Sequence, residues 1–284
     1  MKIILSRKGF DSGFGGIPSP ILPNGEMLSL PIPDIQSDLK YIDLYISKNY
    51  NYEDLILELS GSKIKLESDG KYLIKEIGCH LDPDIRFETL KRDTNWIGLF
   101  GQSGAAQSHL RNQNVSTGDI FLFFGWFAPT HLVNGNLELK NRSGFHAIFG
   151  YLEIAEILEL DTQDIPSWMQ YHPHYKVRHK TMQNDTLYVA SKVLSFNNNL
   201  KGYGTFEYKP KLKLTKKGYS RSKWNLPEFF KQTSISYHNE KSWKTDYFQS
   251  AAKGQEFVIE ATDKILNWSK DIIMDSQFPI YREE

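Results

Sequence analysis

An α+β fold with a mixed or barrel-like sheet is what this sequence predicts, and three observations lead there. Apolar, strand-like runs recur along the chain without the regular strand–helix alternation of a parallel α/β protein. Helical spacing is confined to short stretches and to one long segment near the C terminus. No internal repeat or low-complexity linker breaks the 284 residues, so a single domain over residues 1–284 is expected.

Lys2 to Ser6 reads as the first strand, ending at Arg7. Residues 17–33 carry Pro18, Pro20, Pro23, Pro31 and Pro33 around Asn24-Gly25, an irregular crossing with one hairpin-like turn. A short helix is predicted over 51–60. Residues 62–79 then alternate around Ser68-Asp69-Gly70 as a hairpin leading into His80. The stretch 103–113 suits a short helix that starts at a glycine-rich loop. Asp119 to Phe127 is nearly all apolar and aromatic and too short for a helix across a core, so it is a central strand. Phe145 to Leu158 and Thr186 to Ser195 read as further strands. Over about 247–273, Phe248, Ala251, Ala252, Val258, Ala261, Ile265, Leu266 and Ile272 fall at helical spacing and predict a terminal amphipathic helix.

Apolar residues make up 40% of the chain and charged ones 24%, which excludes a disordered chain. The lone Cys79 excludes an intramolecular disulfide and a cysteine-rich zinc site, and points to a reducing cytoplasm. The apolar run after Met1 is too short for a signal peptide, and no window approaches a membrane span, so no membrane partner is expected. Net charge is zero but unevenly spread. Residues 1–175 hold 15 Lys/Arg against 22 Asp/Glu, residues 176–231 hold 13 against 3, and residues 232–284 hold 6 against 9. Lys211, Lys213, Lys216, Lys217, Arg221 and Lys223 lie among Tyr203, Phe206, Tyr208, Tyr219 and Trp224 in the basic block. Cations interleaved with aromatics suit phosphate tracking and base stacking; the alternative is a basic face paired with the acidic N-terminal part.

Four polar, glycine-containing clusters stand against apolar runs: Ser6-Arg7-Lys8-Gly9-Phe10-Asp11-Ser12 with Gly15 to Pro20, His80-Leu81-Asp82-Pro83-Asp84, Gly101-Gln102-Ser103-Gly104, and Gly118-Asp119. Arg7 can clamp a phosphate or pair with Asp11. In extended backbone His80, Asp82 and Asp84 share a side, where they can move a proton, hold a divalent metal, or merely shape a turn at Pro83. Asp82 reads as part of an exposed turn, so Asp82→Asn should cost on the order of 1 kcal/mol or less. His172-Pro173-His174, between Tyr171 and Tyr175, has the same geometry. Gly101 and Gln102 precede a helix whose free amides suit an anion, while the Gln102 amide can read a base edge.

These runs, with Phe100, Ala105-Ala106, Ile120 to Phe127 and Gly254-Gln255-Glu256-Phe257-Val258, resemble the family called nucleotide modification associated domain 3 over nearly the whole chain. The resemblance implies a bacterial or phage protein tied to modification of DNA bases or nucleotides, but supplies neither a reaction nor a catalytic residue. A narrower likeness, over about 115–195, is to PUA-like domains of the EVE type. It implies a non-catalytic reader of RNA or modified bases, with a base held by aromatics such as Trp126, Phe127 or Trp168.

The sequence therefore assigns Arg7, Asp11, His80, Asp82 and Asp84 to catalysis. Lys8, Ser12, Gly101, Gln102, Trp126, His172 and His174 are assigned to substrate binding, and the six basic residues to nucleic acid. The expected partner is a nucleotide or DNA, or else RNA. No cofactor or metal is specified. An interaction subunit without any site would instead scatter these clusters over the surface, and the loops after residues 6, 79 and 100 are expected to meet around one pocket.

Overall fold

The computed structural model describes residues 1–66, 70–176, 183–251 and 256–278. Its first half contains β1 (Lys2–Arg7), β2 (Ile32–Asp34), α1 (Tyr52–Ser60), β3 (Gly78–His80), β4 (Leu99–Gln102) and α2 (Gly104–Asn112). There follow β5 (Ile120–Val133), β6 (Phe145–Glu159), α3 (Pro173–Lys176), β7 (Thr186–Ala190), β8 (Glu256–Glu260) and α4 (Asp263–Asp275).

Among the described residues nine strands form the main sheet, with the central order β4–β7–β6–β5–β1–β8. β1 runs parallel to β5, with Ile3 opposite Ile120 and Arg7 opposite Phe124, whereas β8 is antiparallel to β1. Ser19–Ile21 and Asn136–Leu139 add to the far end of β5, and Tyr203–Thr205 pairs with β6. Ile120 to Phe124 are fully buried, which explains why this first stretch of β5 is apolar at every position instead of alternating. The sheet is mixed and, among the described residues, does not close into a barrel.

A second apolar cluster gathers beneath α1, around Tyr41, Leu55, Ile56, Cys79 and Leu81. α1 begins with a reciprocal cap: the Asn51 side chain accepts from the Asp54 amide at 3.0 Å, and Asp54 accepts from the Asn51 amide at 3.4 Å. A third cluster joins Leu99, Leu160, Ile165, Met169 and Leu187. β3 and β4 lie where these clusters meet, because Cys79 and Leu81 face the second while Leu99 faces the third and Phe100 the first. A polar side chain placed between such neighbours, His80 or Asp82, is thereby held at the junction.

The short helices at 51–60 and 103–113 and the strands at 2–6, 119–127 and 145–158 are present, β5 being longer than expected. The predicted helix over 247–273 is not. Phe248–Gln249 and Glu256–Glu260 are strands, and only Asp263–Asp275 is helical. Phe257, Val258 and Ile259 are consecutive buried residues, and one helical face cannot bury three in a row; paired with β1 they are covered on both sides. Ala252 in that prediction, Ser68-Asp69 of the expected hairpin turn, and Gly254-Gln255 lie outside the described residues. The strand expected over 186–195 stops at Ala190. Among the described residues no helix is long and apolar enough to cross a membrane.

Candidate functional site

Lys8 follows directly on β1, while β2 carries Asp34, β3 His80, β4 Gly101 and Gln102, and α3 His174. Lys8 Nζ lies 3.6 Å from Asp82 Oδ2 and 3.4 Å from Glu256 Oε1, above the Phe100 ring. Gln102 donates through Nε2 to Glu256 Oε1 at 2.6 Å. Asp82 Oδ1 accepts from the Gly101 amide at 2.7 Å and faces His172 Nε2 at 3.5 Å, too long for a strong hydrogen bond. His174 Nε2 meets His80 Nε2 at 3.3 Å. Behind each imidazole stands a carboxylate: Asp34 Oδ2 is 3.4 Å from His80 Nδ1, and Asp185 Oδ1 is 3.2 Å from His174 Nδ1. Two runs of polar contacts thus stand side by side, Gln102–Glu256–Lys8–Asp82 and Asp34–His80–His174–Asp185, with ligand atoms of Asp82, His80 and His174 within 4.8 Å of one another. The His80 side chain is 21% exposed, Asp82 3% and His174 8%, so the cluster is reached from the His80 side.

Gly101 is what lets the histidines approach. A Cβ there would lie 2.1 Å from His174 Cδ2 and 2.8 Å from His172 Cε1. Burial raises the Asp82 carboxyl, but Lys8 together with His172 and His174 outweighs it and holds the group well below the ordinary carboxylate range. His174 is pushed down to about 4 by burial, only partly countered by Asp185. Burial raises Glu256 despite Lys8. The cluster therefore presents a neutral His174 imidazole beside an ionised aspartate.

The remaining assigned residues are placed elsewhere. Asp84 is gripped by Arg92 at 2.6 and 2.7 Å and accepts a short hydrogen bond from the Tyr171 hydroxyl. Trp96 Nε1 donates to that hydroxyl at 2.8 Å. Tyr171→Phe leaves this indole donor unpaired and removes a bond to a carboxylate. A loss of about 2 kcal/mol in urea denaturation is expected. Asp11 Oδ1 accepts from the Gly13 and Phe14 amides at 2.7 and 2.8 Å, shaping the turn that includes exposed Ser12. The Asp82 turn is not exposed as expected: its carboxylate is buried and paired, so Asp82→Asn should cost several kcal/mol rather than one or less.

Arg7 lies in the field of Asp11 and Glu256, and Arg221 in that of Asp11 and Arg7. Arg221 stacks 3.9 Å above Trp126, whose Nε1 donates to the Ser143 carbonyl. Beside them His146 accepts from Trp224 Nε1 at 3.1 Å, and burial together with Arg221 and Arg7 pushes it down to about 3. An unfolded histidine takes its proton near pH 6.5, so stability attributable to His146 is intact above that pH and falls as pH drops towards 3. Melting temperature should therefore decline over pH 6.5–4.5 with a shallower slope in His146→Gln.

In the basic block Lys211 pairs with Asp275 at 2.6 Å and Lys216 with Asp246 at 3.0 Å. Lys213 covers Phe145, Lys223 lies over Tyr219 and Tyr247, and Lys217 is exposed. The acids that pair with Lys211 and Lys216 thus come from the C-terminal segment, not the N-terminal part.

Close to the histidines lies a cleft of about 620 Å³ with Trp96, Trp168 and Tyr171 in its wall. Pro173, between His172 and His174, lines it too, and the Lys176–Asp38 ion pair stands at its rim. A model of the family described as nucleotide modification associated domain 3 matches residues 2–260. The chain belongs to that family. Comparison with curated proteins and with solved structures gave no match. The nucleotide modification associated domain 3 match reaches from β1 to the end of β8, and so contains every residue of the cluster. Asp34, Asp185 and Glu256 escaped the sequence reading. The available signal was weak: a carboxylate at the margin of a short strand, and in Glu256 a charge heading the apolar run Phe257-Val258-Ile259.

Proposed function

We propose that this protein binds a nucleotide or nucleic-acid base in the aromatic cleft and takes part in its modification at the His80–Asp82–His174 cluster. The observation that carries the reading is the meeting of basic, acidic and amide side chains from five separated segments beside a cleft of nucleotide size, in a family named for nucleotide modification. Ligand pockets generally span about 300–1,000 Å³, and this cleft falls in that range, its aromatic wall standing beside charged groups such as Asp38, Arg92 and Lys176. A base would stack on Trp168 or Tyr171, and Lys176 would face its phosphate. Lys8 would hold negative charge near Asp82, and Gln102 keeps Glu256 in place. Family membership favours a modifying role over a pure reader, as does the density of titratable groups in the cluster. The buried, unpaired Cys79 fits a reducing cytoplasm.

Base stacking in the cleft predicts quenching of tryptophan fluorescence when nucleoside monophosphates or short single-stranded DNA are titrated in. Trp168→Leu should lose most of that response. No quenching with any nucleotide or oligonucleotide would overturn the proposed binding.

A further inference from the structure

We propose that His80, His174 and Asp82 bind one divalent first-row transition-metal ion, each histidine through Nε2. The argument begins with the hydrogens. The Nδ1 of His80 and that of His174 each face a carboxylate, Asp34 and Asp185, so Nδ1 carries the proton in both rings. Each Nε2 then presents a bare lone pair, and the two lone pairs meet at 3.3 Å. Two acceptors facing each other at that distance repel unless a cation lies between them.

The distance also suits a metal. With metal–nitrogen bonds of about 2.1 Å, donors 3.3 Å apart subtend about 104° at the ion, near the tetrahedral angle. A carboxylate oxygen of Asp82 completes a group whose ligand atoms all lie within 4.8 Å of one another. A carboxylate behind each imidazole is the arrangement that fixes ring orientation and strengthens a histidine as a ligand. Charge points the same way: Asp82 and Glu256 both face the ammonium of Lys8, and Asp34 and Asp185 add a carboxylate behind each imidazole.

His172 supplies a separate observation. It is fully buried against Asp82 and His174, yet among the described residues neither ring nitrogen makes a hydrogen bond of ordinary geometry, Nε2 standing 3.5 Å from Asp82 Oδ1. A polar ring left so at the cluster's edge suits a site whose remaining partner is a bound species. Two imidazoles and one carboxylate favour zinc or iron(II) over magnesium or calcium, and three protein ligands leave positions open for water or substrate. This deepens the reading of the same cluster, but metal binding is measured with no nucleotide present, so either reading can fail alone.

The test is metal analysis of the full-length protein purified without chelator or a metal-affinity column, followed by cobalt(II) titration of the chelator-treated protein. About one transition-metal ion per chain is expected, together with visible cobalt(II) d–d absorption saturating at one equivalent. His80→Gln and His174→Gln should abolish both, and His131→Gln, in β5 and outside the cluster, should retain them. Should the ligand variants fail to fold, Asp34→Asn keeps all three ligands and should weaken cobalt affinity about 10–100-fold. Wild-type protein with neither stoichiometric metal nor a cobalt spectrum would overturn the assignment, leaving a proton shared between the imidazoles. Unchanged cobalt binding in folded His80→Gln and His174→Gln would overturn it as well.

Discussion

Gly101→Ala should disable the site while leaving most of the protein folded. The new methyl group would lie 2.1 Å from one His174 ring carbon and 2.8 Å from a His172 ring carbon, so both rings must move. Neither has room to do so at no cost, because His172 is fully buried and His174 nearly so. Overpacking of this kind costs about 1–3 kcal/mol. The functional loss should be far larger, since displacing reactive groups by about 1 Å costs on the order of 100-fold. Cobalt titration and fluorescence quenching on the variant, with its denaturation curve alongside, separate the two effects. A fully active Gly101→Ala protein would remove the histidines from the mechanism.

The second large effect is expected at Lys8. Its ammonium is the cation shared by buried Asp82 and Glu256, and methionine would keep the stem but leave both carboxylates without it. Breaking a buried pair in this way costs about 3–5 kcal/mol. Adding Glu256→Gln to Lys8→Met removes one of the stranded charges, so the double variant should be more stable than Lys8→Met alone. Additive losses in that double-mutant cycle would mean that the two groups are not coupled.

The sequence made some of this site legible and hid the rest for identifiable reasons. β5 announced itself because nine nearly unbroken apolar residues can be buried only in the middle of a sheet. His80, Asp82, Gly101 and His174 stood out because polar residues and glycine interrupt apolar runs at those points. Arg7 was chosen ahead of Lys8 because a bidentate guanidinium suits phosphate, yet it is Lys8, the residue just past the end of β1, that meets Asp82. Asp84 shares the alternation of His80 and Asp82, but Arg92 and Tyr171 draw it elsewhere, and no local pattern reveals such partners. Glu256 stands 154 residues from Gln102 and still accepts its side-chain hydrogen bond. That contact joins β4 to β8, the first and last strands of the order β4–β7–β6–β5–β1–β8, an arrangement the sequence did not disclose. The terminal segment misled for a different reason. Its apolar spacing satisfied a helix across 247–273, although the unbroken run at 257–259 was the better guide.

The central claim is that a nucleotide or base is modified at the histidine–aspartate cluster. Mass spectrometry of nucleosides from DNA and from the nucleotide pool tests it most directly, comparing native cells with cells lacking the protein and with cells carrying His80→Gln. The account predicts a nucleoside of altered mass that is present with the wild-type protein and absent from both comparison strains. Identical nucleoside profiles in all three, or an altered nucleoside that persists in His80→Gln cells, would contradict it.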